Sequence, residues 1–184
     1  MKNLKLLAAI FIFSTLLMSC SDDDDDIPPV NEEELITTMT ITMVPNGGGT
    51  NVTLKTVDLD GDGPNQPVIT VSGPMTSGIT YMGSIELLNE TEDPAEDITV
   101  EVEEEAEEHQ FFYTVGGGLD ATTEYKNFDM DGNPLGTEFS LDAGDASTGT
   151  LTFTLRHEPK KPNTGIDDAG GETDITATFP VEIE

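Results

Sequence analysis

Short runs in which apolar and polar residues alternate recur along most of this chain. The run LITTMTITMV places Ile36, Met39, Ile41 and Met43 mostly on one side of an extended backbone, with threonines between them. Similar runs follow it: NVTLKTVDL, PVITVSG, ITYMGSIELL, QFFYTVG, TTEYKNF, GTEFSL, GTLTFTLRH and TDITATFPVEIE. Because successive side chains of a β-strand point to opposite faces, this period predicts strands that bury one face.

Turn-forming residues separate these runs, at 46–49, 61–64, 116–118 and 131–134. Glycine, proline, asparagine and aspartate favour turns, and short strands at such spacing favour a sandwich or barrel. We therefore predict a mainly β fold, an antiparallel immunoglobulin-like β-sandwich of about eight to nine strands with one short acidic helix. Tyr81 fits either the tyrosine corner of such sandwiches or an ordinary strand position.

The predicted helix lies in DPAEDITVEVEEEAEEH, which departs from the alternating pattern. Asp93 is a plausible N-cap, and Pro94 suits the first helical position. Ile98, Val102 and Ala106 recur every four residues, and most of the other residues are good helix formers. Part of the segment also alternates as a strand would, but we favour a helix that crosses one end of the sandwich.

The first residues resemble a secretory leader. A basic start, MKNLK, precedes an apolar run of about a dozen residues, whereas a membrane-spanning helix needs roughly 20. The string Leu17-Met18-Ser19-Cys20 resembles the bacterial lipoprotein box. The resemblance implies that residues 1–19 are a cleaved signal peptide and that Cys20 is acylated and held in a membrane. The alternative is a secreted protein with one spare thiol.

A block of five aspartates follows Cys20. Like charges repel one another and keep a chain extended, so residues 20–33 are predicted to be a lipidated acidic tether to a single domain, 34–184. The block could be a plain spacer. It also resembles the export signal of Bacteroidota surface lipoproteins, which implies an outer-membrane protein exposed at the cell surface. The residues that carry this resemblance are Ser21, Asp22, Asp23 and Asp24.

The charge balance limits the classes of partner. The chain has 37 acidic and 7 basic residues, for a net charge of −30. Nucleic-acid binding requires a basic surface, so we exclude it. The charge favours cations, basic partners or simple solubility. The single cysteine excludes an internal disulfide.

Two acidic loops are candidates for Ca²⁺. The string DLDGDG carries Asp58, Asp60 and Asp62 at the spacing that opens a calcium loop. Ile69 stands where such a loop has a bidentate glutamate, so binding would be weak. A second loop beginning at Asp129 reads DMDGN. For both loops the alternative is a polar turn between strands.

The chain has only two histidines, His109 and His157. On a helix, Glu105 and His109 lie one turn apart and offer two ligands to Zn²⁺ or another transition metal. His157 ends a predicted strand and would join them if the fold brought these ends together. The alternative for His109 is a favourable interaction with a helix C-terminus.

The motif search gives no support for catalysis. The strings G-x-S-x-G and H-E-x-x-H are absent, and GGG at 116–118 has no helix pattern after it. We therefore expect a binding protein rather than an enzyme.

Several strings together resemble one family of Bacteroidota surface lipoproteins. They are NEEELITTMTITMVPNGGGT, DLDGDGPNQPV, YMGSIELLNETEDPAEDIT, EEAEEHQFFYTV, TLRHEPKKP and AGGETDITATF. Members of this family are commonly labelled type 1 periplasmic binding fold superfamily proteins. The resemblance implies a ligand-binding accessory of nutrient or metal uptake, beside a TonB-dependent outer-membrane transporter. The alternative is a structural or interaction module that partners such a transporter without a small ligand.

Overall fold

The structure is a computed structural model that describes residues 34–61 and 63–184. The predicted signal peptide, the lipidated Cys20, the export residues and the tether lie outside the described residues. Asp62 of the first predicted calcium loop also lies outside them.

Ten β-strands and two short helices make up the described part of the chain. The strands are β1 (Thr38–Pro45), β2 (Val52–Val57), β3 (Val68–Val71), β4 (Thr80–Asn89), β5 (Glu96–Asp97), β6 (His109–Gly116), β7 (Ala121–Tyr125), β8 (Glu138–Ala143), β9 (Ser147–His157) and β10 (Glu172–Ile183). The helices are α1 (Ile98–Glu104), between β5 and β6, and α2 (Ile166–Ala169), between β9 and β10.

The strands form two antiparallel sheets that pack as a sandwich. The larger sheet has the order β3-β2-β1-β4-β8-β7, and the two-residue β5 pairs with β4 beside it. The smaller sheet has the order β10-β9-β6. The predicted mainly β, antiparallel sandwich is therefore confirmed.

The inward faces of both sheets meet in one hydrophobic core. Met39, Ile41 and Met43 of β1 are completely buried, as the alternation of the sequence predicts. In the smaller sheet, Phe153 and Phe179 pack with ring centroids 6.1 Å apart. Burial of each such side chain stabilises the fold by roughly 1.5–3 kcal/mol. The apolar residues of the alternating pattern are therefore the ones that form this core.

Tyr81 makes the contact that defines a tyrosine corner. Its hydroxyl accepts a hydrogen bond from the backbone N–H of Thr76, five residues upstream, at 2.8 Å. The tyrosine side chain is buried in the core. The contact ties the approach to β4 against the sandwich, which supports the first of the two interpretations.

The acidic segment forms a helix that begins later than predicted. The N-cap of α1 is Asp97, whose carboxylate accepts the N–H of Thr99 at 3.1 Å, and not Asp93. The reason is that the preceding residues form β5, which pairs with the end of β4 and holds the backbone extended. Ile98 and Val102 are buried against the core.

The predicted helix through His109 is wrong, because α1 ends at Glu104 and His109 begins β6. Eight residues of β6 pair with β9, and this ladder satisfies backbone groups that a helix would satisfy otherwise. The segment after β9 contains the four-residue helix α2, so the described chain has two helices rather than the one predicted. A membrane crossing needs a longer and more apolar helix than either α1 or α2, the helices of the described residues.

Candidate metal centre

The two histidines lie opposite each other on neighbouring strands. His109 begins β6, His157 ends β9, and the antiparallel pairing puts the two residues in register. Their ring centroids are 4.6 Å apart, with the ring planes inclined by 40°. The side chains are only 0% and 6% exposed. The fold therefore buries both imidazoles of the chain side by side.

Glu34 supplies a carboxylate to the same place. It precedes β1, its side chain is 6% exposed, and its Oε1 lies 3.2 Å from Nε2 of His109. One ligand atom from each of Glu34, His109 and His157 lies within 4.8 Å of the others, and we call these residues the inner triad. The sequence reasoning missed Glu34, because no local pattern distinguishes it from the two glutamates that precede it.

A backbone carbonyl fixes the orientation of the His109 ring. Nδ1 lies 3.2 Å from the carbonyl oxygen of Glu105. Because a carbonyl can only accept, Nδ1 carries the proton of this hydrogen bond, and Nε2 faces Glu34. Metal-binding histidines are commonly oriented in this way, with the nitrogen away from the metal donating to a carbonyl or carboxylate.

Burial and the neighbouring Glu34 carboxylate have opposite effects on the pKa of His109. Burial alone would lower the pKa of His109, but the Glu34 carboxylate and the carbonyl of Glu105 outweigh it and raise the pKa above its ordinary value. The contact between Nε2 and Glu34 is close but lacks hydrogen-bond geometry. A positive charge is therefore favoured between these two side chains, whether a proton or a metal ion supplies it.

Glu105, predicted to share a metal ion with His109 through its carboxylate, contacts His109 through its backbone carbonyl. The carboxylate of Glu105 is exposed and groups with those of Glu34 and Glu101, with ligand atoms within 4.8 Å. Burial and then the charges of Glu34 and Glu105 raise the pKa of Glu101. Glu105 thus belongs to a negatively charged border of the inner triad.

A β-bulge turns Asp174 toward the histidines. The pairing of β10 with β9 shifts register between Thr173 and Ile175, which leaves Asp174 as the extra residue. Such a residue leaves the regular alternation, and its side chain is re-aimed. Oδ1 of Asp174 lies 3.9 Å from Nδ1 of His157, and the side chain is 2% exposed. A second buried carboxylate therefore borders the inner triad.

Several buried polar atoms of this place have no hydrogen-bond partner among the described residues. They include Oε2 of Glu34 and Nδ1 of His157. Nε2 of His157 lies 3.9 Å from Oε2 of Glu108, which is too far for a hydrogen bond. An unsatisfied buried polar group costs roughly 1–3 kcal/mol, and native proteins contain few of them. Coordination of a cation would satisfy these atoms together.

A cleft of about 810 Å³ opens beside the inner triad. Glu34 and Asp174 line it, and so do Asp58 and Asp60 of the first predicted calcium loop. The carboxylate of Asp60 accepts hydrogen bonds from the backbone and side-chain amides of Asn65 at 3.3 and 2.7 Å, as in a polar turn. The structure places these aspartates at the cleft and outside the inner triad.

The second predicted calcium loop holds a lysine against its carboxylate. Oδ1 of Asp129 accepts the backbone N–H groups of Asp131 and Asn133. Nζ of Lys161 lies 3.3 Å from Oδ2 of Asp129. Burial would raise the pKa of Asp129, but the hydrogen bonds from Asn133 and Lys161 lower it. The positive charge beside the Asp129 carboxylate is therefore supplied by a side chain of the protein, Lys161.

The inner triad is the donor set best suited to a metal ion in the described structure. Imidazole nitrogens together with one carboxylate oxygen suit Zn²⁺, Cu²⁺ and related ions, whereas Ca²⁺ prefers oxygen ligands alone. Comparisons of the chain with protein-family models, curated proteins and solved structures give no match. Function is therefore inferred from the side chains themselves.

Proposed function

We propose that this protein is a surface lipoprotein that binds a divalent transition-metal ion at Glu34, His109 and His157 and assists its uptake. The surface location is supported by the lipoprotein box and the acidic block after Cys20. The transporter partner is an implication of the family resemblance and stays a prediction. The metal-binding part is supported by the inner triad.

One observation carries the metal-binding proposal: two buried imidazoles and a buried carboxylate converge with unsatisfied ligand atoms. Burying three ionisable groups without a compensating charge is unfavourable. A divalent ion would offset that cost, since it coordinates the imidazole nitrogens and neutralises the carboxylate. The carbonyl of Glu105 keeps the His109 ring oriented for this role.

Calorimetric titration with Zn²⁺ and Cu²⁺ tests the proposal, with Ca²⁺ as the comparison ion. We expect binding in the micromolar range or tighter for the transition metals. The titration uses a Cys20→Ser background, so that the thiol contributes no ligand. Loss of a group that only orients a metal ligand costs about 10- to 100-fold in affinity, so His109→Gln and His157→Gln are expected to cost more.

Glu105→Gln is the matched control, because the Glu105 carboxylate lies outside the inner triad. It should leave the affinity almost unchanged, whereas Glu34→Gln should weaken it. Thermal melts of each variant show whether the domain is still folded. The proposal would be contradicted by no binding of Zn²⁺ or Cu²⁺ to the folded protein, or by histidine variants that bind as tightly as the unaltered protein.

The affinity should also fall as the pH is lowered. Protons compete with metal ions for imidazole nitrogens. The pKa of His109 lies above its ordinary value in the metal-free protein, so this competition begins at a higher pH than for an exposed histidine.

A further inference from the structure

His157 takes part in a second group of possible ligands at the protein surface. One ligand atom from each of Glu108, His157 and Glu158 lies within 4.8 Å of the others, and we call these residues the outer triad. The side chain of Glu108 is 60% exposed, and Glu158 is also exposed. The inner and outer triads therefore share one imidazole, with buried ligands in one and accessible carboxylates in the other.

Backbone geometry holds the two carboxylates of the outer triad together. The N–H of Glu158 donates to the carbonyl of Glu108 at 2.7 Å. Glu158 has a φ of +49°, a left-handed conformation that is uncommon for residues other than glycine. The chain thus turns sharply after β9 and keeps Glu158 beside the ring of His157.

The His157 ring distinguishes the outer triad from an ordinary acidic surface. Its side chain is 6% exposed, and its Nε2 lies 3.9 Å from Oε2 of Glu108. Its Nδ1 lies on the other side of the ring, 3.9 Å from Oδ1 of the buried Asp174. Nε2 is therefore the nitrogen that an ion arriving from solution can contact beside the two exposed carboxylates.

We propose that the outer triad captures the metal ion and passes it to the inner triad, with His157 as the common ligand. This inference rests on the proposed function. The His109 side chain is completely buried and cannot meet a hydrated ion directly, so the ion needs an entry path. Exposed carboxylates attract cations and raise their local concentration. The ion exchanges Glu108 and Glu158 for Glu34 and His109 as it passes from one nitrogen of the His157 ring to the other.

Association kinetics test this route. Stopped-flow mixing of Zn²⁺ with the full chain in the Cys20→Ser background, followed with a competing fluorescent chelator, gives association and dissociation rates. The double variant Glu108→Gln, Glu158→Gln should bind Zn²⁺ about tenfold more slowly. This is the low end of the increase in association rate that electrostatic steering provides. Its equilibrium affinity should change little, because the final ligands are intact and the release rate falls with the association rate.

Two control variants separate this route from the alternatives. Glu104→Gln with Glu107→Gln removes the same charge from exposed neighbours outside the outer triad. Asp58→Asn with Asp60→Asn alters the cleft, which is the other path to Glu34. Both controls should associate with Zn²⁺ at nearly the rate of the unaltered protein.

Four results would overturn the inference. They are unchanged association in the outer-triad variant, equal slowing in the charge control, slowing in the cleft control alone, and weaker affinity at an unchanged association rate. The last result would make Glu108 or Glu158 a final ligand. Absence of zinc binding by the unaltered protein would instead refute the proposed function, and the capture route with it.

Discussion

At the scale of single residues, Gly83 shows how the core depends on a missing side chain. Gly83 pairs with Phe139 across β4 and β8. A Cβ added to Gly83 would lie 2.2 Å from Cζ of the Phe139 ring, which covers the bare backbone. The same ring packs against Tyr113 and Phe153, with centroid distances of 5.0 and 5.5 Å. The ring therefore has little freedom to move aside.

Gly83→Ala is expected to lower the free energy of unfolding by about 1–3 kcal/mol, since an added methyl group overpacks this part of the core. Urea unfolding measures the effect. Gly73→Ala is the matched control, because a Cβ at Gly73 meets no atom within 4 Å. Equal stability of the two variants would show that the Phe139 ring yields easily.

The residues of the inner triad differ in how far the sequence predicts them. His109 and His157 are candidates because the chain has no other histidine. Their contact depends on the register of β6 and β9, which the alternating pattern does not determine. Glu34 is one of three consecutive glutamates, and only the folded structure shows that it is the one beside His109. Ligand types could be predicted, but the complete ligand set could not.

At the scale of secondary-structure elements, a distant lysine binds the connection between α1 and β6. The last turn of α1 contains no basic residue of its own. Nζ of Lys161 donates to the carbonyl oxygens of Ala106 and His109, both at 2.6 Å, just beyond the end of the helix. The side chain of Lys161 is 6% exposed and also contacts Asp129. Burial lowers the pKa of Lys161, and the charge of Asp129 opposes that effect.

Lys161→Met should destabilise the protein by about 3 kcal/mol, because it leaves the buried Asp129 carboxylate without its ion-pair partner. Thermal or urea unfolding gives the value. Lys160→Met is the control, since Lys160 is the exposed neighbour of Lys161. A loss of stability that is equal in both variants would contradict a specific role for Lys161.

The strands were predictable in a way that the helix and the bulge were not. The alternation of Met39, Ile41 and Met43 with polar residues predicts one buried face directly. These three residues form the buried face of β1. The start of α1 depends instead on the pairing of β5 with β4, which is a tertiary contact. The bulge at Asp174 likewise depends on the register of β10 against β9. Contacts between segments distant in sequence decided both features.

At the scale of the whole molecule, the net charge of −30 disfavours contact with anionic surfaces, so attachment to a membrane would depend on the proposed lipid at Cys20. A single acyl chain binds a membrane weakly, so stable anchoring needs more than one. The acidic block would then act both as a spacer and as an export signal.

Cys20→Ser should release the protein from the membrane fraction, because it removes the sulfur that we propose is acylated. Cell fractionation and immunoblotting measure the release. Replacing Asp22–Asp26 with alanine should keep the protein membrane-bound but reduce its labelling by an impermeant reagent on intact cells. Retention of the Cys20→Ser variant in membranes would contradict the lipid anchor, and unchanged labelling of the alanine variant would leave the block as a spacer.

The inner triad also has a topological consequence. Glu34 precedes the first strand, His109 begins the sixth and His157 ends the ninth, so an ion bound there closes two long loops of the chain. It is a reversible cross-link in a protein that cannot form an internal disulfide. Binding to the folded state alone adds about 2.7 kcal/mol when the free ion is at a hundred times its dissociation constant. Under the proposed function, the resistance of the domain to proteases outside the cell would increase with the supply of the metal ion.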